Sequence, residues 1–229
     1  MENNSSIIGN KNKQLNIKAV IFDLDGTLLD SMWLWGDVAA RYIESHGVTL
    51  RPGFREALRS LNTAEEAQYY KDEYGIDLTI EEIIKNRDSM MLELLLSEVQ
   101  LKTGVIPVMD KLRESGIKMC LATATDKWLV DPTLKYNGLT GYFESVFTCT
   151  EEKTSKKSPD IYIRAVELLG TAPSETLVVE DAYYAMETAK KAGFIVAGVY
   201  DKVSDDEQDK IKALCDYYWV TLDEMLEYL

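Results

Sequence analysis

The chain has 229 residues, of which 46% are hydrophobic and 28% are charged, proportions typical of a globular protein with a substantial apolar core. Its formal net charge of −14 argues against nucleic acid and anionic membrane surfaces as partners, because both attract proteins through an excess of Lys and Arg. No apolar run approaches the roughly 20 residues that a membrane-spanning helix needs, so no contact with a membrane is expected.

The first 16 residues are rich in Asn, Ser and Lys and lack the apolar core of a secretory signal. We predict a disordered tail over residues 1–16. Three cysteines, Cys120, Cys149 and Cys215, lie far apart among apolar neighbours, as buried reduced thiols do. This pattern predicts a cytoplasmic protein, and no feature of the sequence indicates a protein partner.

The first predicted strand is the apolar run that begins at Ala19 and stops at two aspartates, Asp23 and Asp25. Gly26 follows and allows the chain to turn sharply after a strand. Ligands of open α/β sheets bind beyond the carboxyl ends of the strands. Two carboxylates at such an end, with no Lys or Arg beside them, indicate a site for a hard cation.

From residue 32 to about residue 100 the spacing of apolar residues is helical, and no strand is predicted. The predicted helices run from Trp35 to about His46, over residues 54–61, from Ala64 to about Tyr74, and onward from an N-cap at Thr79. This segment interrupts the order of the surrounding elements. We therefore predict an inserted all-helical subdomain over residues 32–102.

Helices and strands alternate in the remainder of the chain, which predicts a parallel sheet covered on both faces. The predicted strands cover residues 117–123, 145–148, 176–179, 194–200 and 217–220. The predicted helices cover residues 107–115, 127–136, 159–169, 182–192 and 206–214, with a last one after Thr221. The predicted fold class is therefore α/β, with a core formed by residues 17–31 and 103–229.

Polar residues also follow the later strands. Thr123 and Ala124 end the second strand, where a hydroxyl and backbone N–H groups can hold a phosphate oxygen. Lys156 follows the third strand, and lysine can neutralise both a phosphate and an aspartate. Glu180 and Asp181 follow the fourth strand, so a parallel sheet would bring all these positions to one edge.

Four carboxylates gathered at that edge would repel one another by several kcal/mol if no cation were present. The four are Asp23, Asp25, Glu180 and Asp181. Because Mg²⁺ prefers carboxylate oxygens together with the oxygens of a substrate phosphate, we predict Mg²⁺ as the cofactor.

Taken together, these motifs resemble the haloacid dehalogenase superfamily of phosphotransferases, in the branch that holds β-phosphoglucomutase and many phosphatases of small metabolites. The matching positions are Asp23-Leu24-Asp25-Gly26-Thr27, Thr123, the Lys-x-x-Pro-Asp run from Lys156 to Asp160, and Glu180-Asp181. Lys157 replaces a frequent proline of the third motif. The resemblance implies a Rossmann-like core with a helical cap.

The resemblance also implies a role for each matched residue. Asp23 would be the nucleophile that forms an aspartyl-phosphate, and Asp25 would serve as general acid and then general base. Thr123 and Lys156 would bind the transferring phosphoryl group. The residues implied to hold Mg²⁺ are Asp23, Asp25 through its backbone carbonyl, Glu180 and Asp181.

The sequence favours a phosphatase acting on a small phosphorylated metabolite, such as a sugar phosphate or a similar phosphomonoester. In β-phosphoglucomutases a histidine follows the first motif and an arginine of the cap grips a second phosphate. Here Trp35 takes the place of the histidine, and the stretch Ser60-Leu61-Asn62-Thr63 has no arginine. A mutase of that type is the first alternative, and a phosphorylatable signalling module without turnover is the second.

Two tryptophans of the predicted cap, Trp33 and Trp35, have two interpretations. They are either an aromatic lid that contacts the organic part of the substrate, or packing residues of the cap itself. His46 is interpreted as a residue at a helix end rather than a catalytic group.

Overall fold

A computed structural model of the chain describes residues 15–58 and 61–229. These residues form two compact units, and the first comprises the described residues up to Asp30 together with Gln100–Leu229. The second is Ser31–Val99. We call them the core unit and the helical unit. The predicted insertion at residues 32–102 starts and ends slightly later than the helical unit.

The core unit is built on one parallel sheet of six strands in the order β3-β2-β1-β4-β5-β6. The strands are β1 Ala19–Phe22, β2 Lys118–Thr123, β3 Ser145–Thr148, β4 Thr176–Glu180, β5 Ile195–Val199 and β6 Tyr217–Trp219. The first strand therefore lies in the middle of the sheet, between β2 and β4. All of its residues are fully buried, which requires cover on both faces of the sheet.

Five helices of the core unit accompany the sheet: α6 Val105–Glu114, α7 Lys127–Tyr136, α8 Asp160–Leu169, α9 Tyr183–Lys191 and α10 Gln208–Leu214. On one face of the sheet, α8, α9 and α10 share an apolar cluster with the strands. Short 3₁₀ segments cover Pro173–Glu175, Lys202–Glu207 and Leu222–Tyr228. The predicted α/β class, with a Rossmann-like parallel sheet and an inserted helical segment, is confirmed.

The helical unit contains α1 Met32–Trp35, α2 Val38–Ser45, α3 Phe54–Leu58, α4 Thr63–Tyr74 and α5 Ile80–Ser97. It has an apolar core of its own, in which Phe54 stacks on Tyr70 with 6.3 Å between ring centroids. Capping boxes at Asn62 and Thr79 start the two longest helices, so the predicted N-cap at Thr79 is confirmed.

Some predicted helices were wrong in extent or type, for local reasons. The helix predicted from Trp35 to His46 is broken at Gly36 and Asp37, so that it forms the separate helices α1 and α2. Helix α6 begins two residues before Pro107, which lies in the first turn, where its missing N–H is not needed. The segment after Thr221 is a 3₁₀ helix and not an α-helix.

Three predictions lie partly outside the described residues. These are the tail, which is described only from residue 15, the helix over residues 54–61, of which residues 59 and 60 fall outside, and the stretch Ser60-Leu61-Asn62-Thr63, of which Ser60 falls outside. At Leu15 the prediction of a disordered tail was wrong: this residue is buried, and its N–H donates to the Tyr228 carbonyl at 2.8 Å.

The described helices include none with the length and apolar character needed to cross a membrane. Cys120, Cys149 and Cys215 are buried free thiols, as predicted.

Gly104 provides a test of the packing in the core unit. It precedes α6 with φ of +91°. A Cβ added to Gly104 would overlap the backbone of Asp223, because the Cα of Asp223 would lie only 2.7 Å from that Cβ. Gly116 follows the same helix with φ of +70° and has open space around it. We expect Gly104→Ala to lower the free energy of unfolding by about 3 kcal/mol or more, because a rigid backbone must move.

Gly116→Ala is the matched control and should lose only about 1 kcal/mol, the cost of a side chain at positive φ. Urea unfolding followed by circular dichroism measures both variants. Equal losses would contradict the close approach of the Gly104 and Asp223 backbones.

Candidate active site

The register of the sheet brings Asp23 and Glu180 together. Asp23 follows the last residue of β1, and Glu180 is the last residue of β4. Phe22 pairs with Val179, and the Asp23 N–H donates to the Val179 carbonyl at 3.0 Å. Asp23 and Glu180 are thus neighbours on adjacent strands at one level, which puts their side chains on the same face.

Asp181 joins these two residues in one buried carboxylate cluster. One carboxylate oxygen from each of Asp23, Glu180 and Asp181 lies within 4.8 Å of the others. Their residues are 6%, 1% and 2% exposed, respectively. Water therefore does little to screen the repulsion among these carboxylates.

Lys156 supplies a positive charge to this cluster. It belongs to the loop between β3 and α8, and it is itself buried. Its Nζ donates to Asp23 Oδ1 and, at 2.5 Å, to Glu180 Oε1. Burial alone would lower the pKa of the Lys156 ammonium, but the charges of Asp23 and Glu180 outweigh it and hold that pKa well above its usual value. Lys156 is therefore a fixed cation.

One ammonium does not neutralise three carboxylates. Burial, with the charge of Glu180 next in importance, raises the pKa of Asp23 to about 8, although Lys156 acts in the opposite direction. Burial and then the charges of Glu180 and Asp23 raise the pKa of Asp181 well above its usual value. The protein without a bound cation thus disfavours the ionised form of both aspartates.

Asp181 also has an unsatisfied acceptor. Its Oδ2 is buried and has no hydrogen-bond partner. A buried carboxylate oxygen without a donor is costly, and a divalent cation bound there would remove both this cost and the charge repulsion. The donor set, composed of oxygen atoms from carboxylates, fits Mg²⁺.

Asp25 and the end of β2 form the other side of the site. The Thr125 hydroxyl donates to Asp25 Oδ2 at 2.6 Å, and the Thr125 N–H donates to Thr123 Oγ1 at 3.1 Å. Thr123 is buried and Ala124 is exposed. The predicted residues at the ends of β1 and β2 are thereby linked by hydrogen bonds.

The predicted cap residues lie in the helical unit. Trp35 ends α1 and is 39% exposed, and its contact with a substrate stays a prediction. The Arg41 guanidinium lies over the Trp33 ring, 5.4 Å from its centroid, which supports the packing interpretation of Trp33. His46 caps the C-terminus of α2, and its Nδ1 lies 2.9 Å from the Tyr42 carbonyl oxygen.

Sequence reasoning placed the Thr125 hydroxyl at the tip of the second strand but missed its contact with Asp25, and it missed Tyr162 altogether. Thr125 contacts Asp25, and the Tyr162 hydroxyl donates to Glu180 Oε1 at 3.2 Å. A signal for Tyr162 existed: it is a residue with a polar tip within the buried apolar face of α8. Its partner could not be identified without the arrangement of α8 against β4.

Comparisons with known proteins point to one family. Its model, described as haloacid dehalogenase-like hydrolase, matches residues 20–199. The Bacillus subtilis protein named "Putative phosphatase YhcW" is 30% identical over 82% of this chain and 86% of its own length. The Thermotoga maritima protein named "Phosphorylated carbohydrates phosphatase" is 26% identical over 82% of this chain and 88% of its own.

A solved structure extends the likeness to the fold. The crystal structure described as that of a "putative beta-phosphoglucomutase from Thermotoga maritima" superposes with a TM-score of 0.79 and 25% identity. The match covers 92% of this chain and 97% of that one.

The charge of Asp181 can be tested through stability. In EDTA near pH 8, Asp181→Asn should raise the melting temperature by about 2–4 °C, because the loss of one repelled charge is worth ~1 kcal/mol. The gain should vanish toward pH ~3, where the carboxyl is protonated in folded and unfolded chains alike. Mg²⁺ should stabilise the wild type and not the variant. Differential scanning calorimetry measures each effect.

The exposed Asp209→Asn is the control: it lies in the first turn of α10, and whatever it costs in melting temperature should be the same in EDTA and in Mg²⁺. A lower melting temperature for Asp181→Asn in EDTA, or an undiminished response to Mg²⁺, would disprove the proposed balance of charges.

Proposed function

The chain belongs to the haloacid dehalogenase-like hydrolase family, and we propose that it is a Mg²⁺-dependent phosphatase of small phosphorylated metabolites that works through an aspartyl-phosphate. The observation that carries the proposal is the buried cluster of Asp23, Glu180 and Asp181 around the ammonium of Lys156. A structural role does not require this cluster, because burying three acidic groups around one ammonium costs folding free energy.

Asp23 is the proposed nucleophile. A carboxylate oxygen of Asp23 bonds to the phosphorus of the substrate, while the bond from phosphorus to the ester oxygen breaks. Asp25 gives its proton to that oxygen, which leaves as an alcohol. Asp25 then takes a proton from water, the water oxygen bonds to phosphorus, and inorganic phosphate leaves with Asp23 restored. The hydrogen bond from Thr125 holds Asp25 for both proton transfers.

Three groups are proposed to bind the phosphoryl oxygens. Lys156 carries a fixed positive charge, and Thr123 offers a hydroxyl at the end of β2. The exposed Ala124 offers a backbone N–H. These donors would stabilise the negative charge that the phosphoryl group carries in the transition state.

Mg²⁺ would be held by Asp23, Asp181, the backbone carbonyl of Asp25 and Glu180. The bound ion would supply positive charge that keeps the carboxylates ionised and screens the phosphate dianion from them. The requirement is specific at Asp23, since burial and the charge of Glu180 raise the pKa of its carboxyl and a protonated carboxyl is a poor nucleophile.

We propose a sugar phosphate or a similar phosphomonoester as the substrate, with Trp35 in contact with its organic part. The relative from Thermotoga maritima, named for phosphorylated carbohydrates, supports this class. Family membership supports an enzyme over a signalling module without turnover.

The nucleophile is tested by Asp23→Asn, in which an amide replaces the attacking carboxylate. With p-nitrophenyl phosphate and Mg²⁺, the variant should lose at least about a hundredfold in kcat, because the covalent route is closed. Its circular dichroism spectrum should match that of the wild type. Asp209→Asn should keep full activity, and retention of more than about a hundredth of the activity by Asp23→Asn would speak against nucleophilic catalysis.

The substrate class is tested by a screen of sugar phosphates, nucleotides and other phosphomonoesters, with phosphate release as the measurement. We expect hydrolysis of sugar phosphates that depends on Mg²⁺ and stops in EDTA. β-Glucose 1-phosphate should yield glucose and phosphate, and not glucose 6-phosphate. Conversion to glucose 6-phosphate faster than phosphate release would favour the mutase.

A further inference from the structure

Tyr162 lies behind the active site, with its ring in the apolar core and its hydroxyl on the carboxylate cluster. The residue is 1% exposed and belongs to the cluster that α8, α9 and α10 form with the sheet. Its ring packs against Phe194 with 5.9 Å between centroids. The hydroxyl donates to Glu180 Oε1 at 3.2 Å, so a buried polar tip meets a buried carboxylate.

Glu180 is held from two sides. Its Oε1 accepts from Lys156 Nζ at 2.5 Å as well as from Tyr162. Its Oε2 faces the backbone N–H groups of Asp181 and Ala182 at 3.3 and 3.4 Å. Both oxygens of this carboxylate are thus engaged by donors of the core unit. Glu180 is held more firmly than Asp181, whose Oδ2 has no donor.

We propose that Tyr162 is a positioning residue of the phosphatase: its hydroxyl fixes the Glu180 carboxylate, and Glu180 in turn fixes the Lys156 ammonium beside Asp23. This inference rests on the proposed function. Tyr162 does not touch the reacting atoms, and it acts through Glu180. The geometry explains why a tyrosine, and not only an aromatic ring, faces β4 from α8.

Loss of the Tyr162 hydroxyl is expected to weaken stabilisation of the transition state more than binding of the substrate. Lys156 has rotatable bonds along its side chain, and Glu180 is one of the two carboxylates that hold it near Asp23. If Glu180 loses one of its donors, its carboxylate can rotate, and the ammonium is less well placed for the phosphoryl oxygens. Preorganised charge matters most where charge develops, so kcat should fall more than KM rises.

The chain offers a matched control. Tyr218 is also 1% exposed and lies in the same apolar cluster, but its hydroxyl donates to Gln208 Oε1 at 2.6 Å. Tyr162→Phe and Tyr218→Phe each remove one buried hydroxyl and keep the ring. Both variants should lose a similar amount of thermal stability, but only Tyr162→Phe removes a donor from Glu180.

The experiment compares wild type, both tyrosine variants, Glu180→Gln and the double variant of Tyr162→Phe with Glu180→Gln. With p-nitrophenyl phosphate and Mg²⁺, Tyr162→Phe should lower kcat about 10–100-fold, which is the usual effect of removing a hydrogen bond to a residue of a metal site. Its KM should stay within about threefold of the wild-type value, and Tyr218→Phe should keep kcat within about twofold. The double variant should be no slower than Glu180→Gln, since both changes act on one connection.

Binding of orthovanadate in the presence of Mg²⁺, measured by calorimetry, provides a readout independent of turnover. Tyr162→Phe should weaken this binding by about the factor that it costs in kcat, because vanadate adopts the geometry of the transition state. Tyr218→Phe should bind vanadate like the wild type.

Two results would overturn the role of Tyr162: kcat and vanadate affinity within twofold of wild type, or losses equal to those of Tyr218→Phe. Additive losses in the double variant would overturn the connection through Glu180. An inactive wild type would instead refute the proposed function, so the two failures are distinguishable.

Discussion

The active site depends on a charge imbalance: the single ammonium of Lys156 faces three buried carboxylates. Such a group of charges costs folding free energy, because Lys156 donates to Asp23 and Glu180 while Asp181 Oδ2 has no donor. The protein therefore favours ligands that bring positive charge to the carboxylates. Carboxylates that repel one another until a cation binds them suit a metal-dependent reaction with a phosphate dianion.

The fold provides the means of holding these charges together. In a parallel sheet every strand ends at the same edge, and β1 lies between β2 and β4, where the order of strands reverses. Residues distant in sequence, such as Asp23 and Glu180, become neighbours through strand register alone. The apolar helices behind the sheet then bring Tyr162 against the carboxylates, so that one residue belongs both to the apolar core and to the carboxylate cluster.

Much of the core unit was predictable because its local signals agree with its tertiary structure. The bounds of β3 and α7 match the prediction, since apolar runs and punctuating residues mark both elements clearly. The prediction of one continuous helix across Gly36 was wrong, because the helical spacing of apolar residues continues across Gly36 although the helix itself is interrupted there. The edge at which the polar residues gather also followed from the pattern, because the carboxyl ends of parallel strands coincide.

The sequence could not provide the pairings within the site. Lys156 was expected to neutralise a phosphate and an aspartate, but its selection of Asp23 and Glu180 over Asp181 depends on distances. The contacts Thr125–Asp25 and Tyr162–Glu180 join residues whose local patterns are ordinary. The same holds for the helical unit, whose local pattern predicts helices but does not identify the side chains that contact a substrate.

The most direct measurement is the identification of the residue that carries the phosphoryl group during turnover. Enzyme quenched in acid while hydrolysing a phosphomonoester would be treated with borohydride, which reduces an acyl phosphate to an alcohol, and the peptides analysed by mass spectrometry. The buried cluster predicts reduction at Asp23, only when substrate and Mg²⁺ are both present. Turnover with Asp23 unmodified, or with the label on another residue, would contradict it.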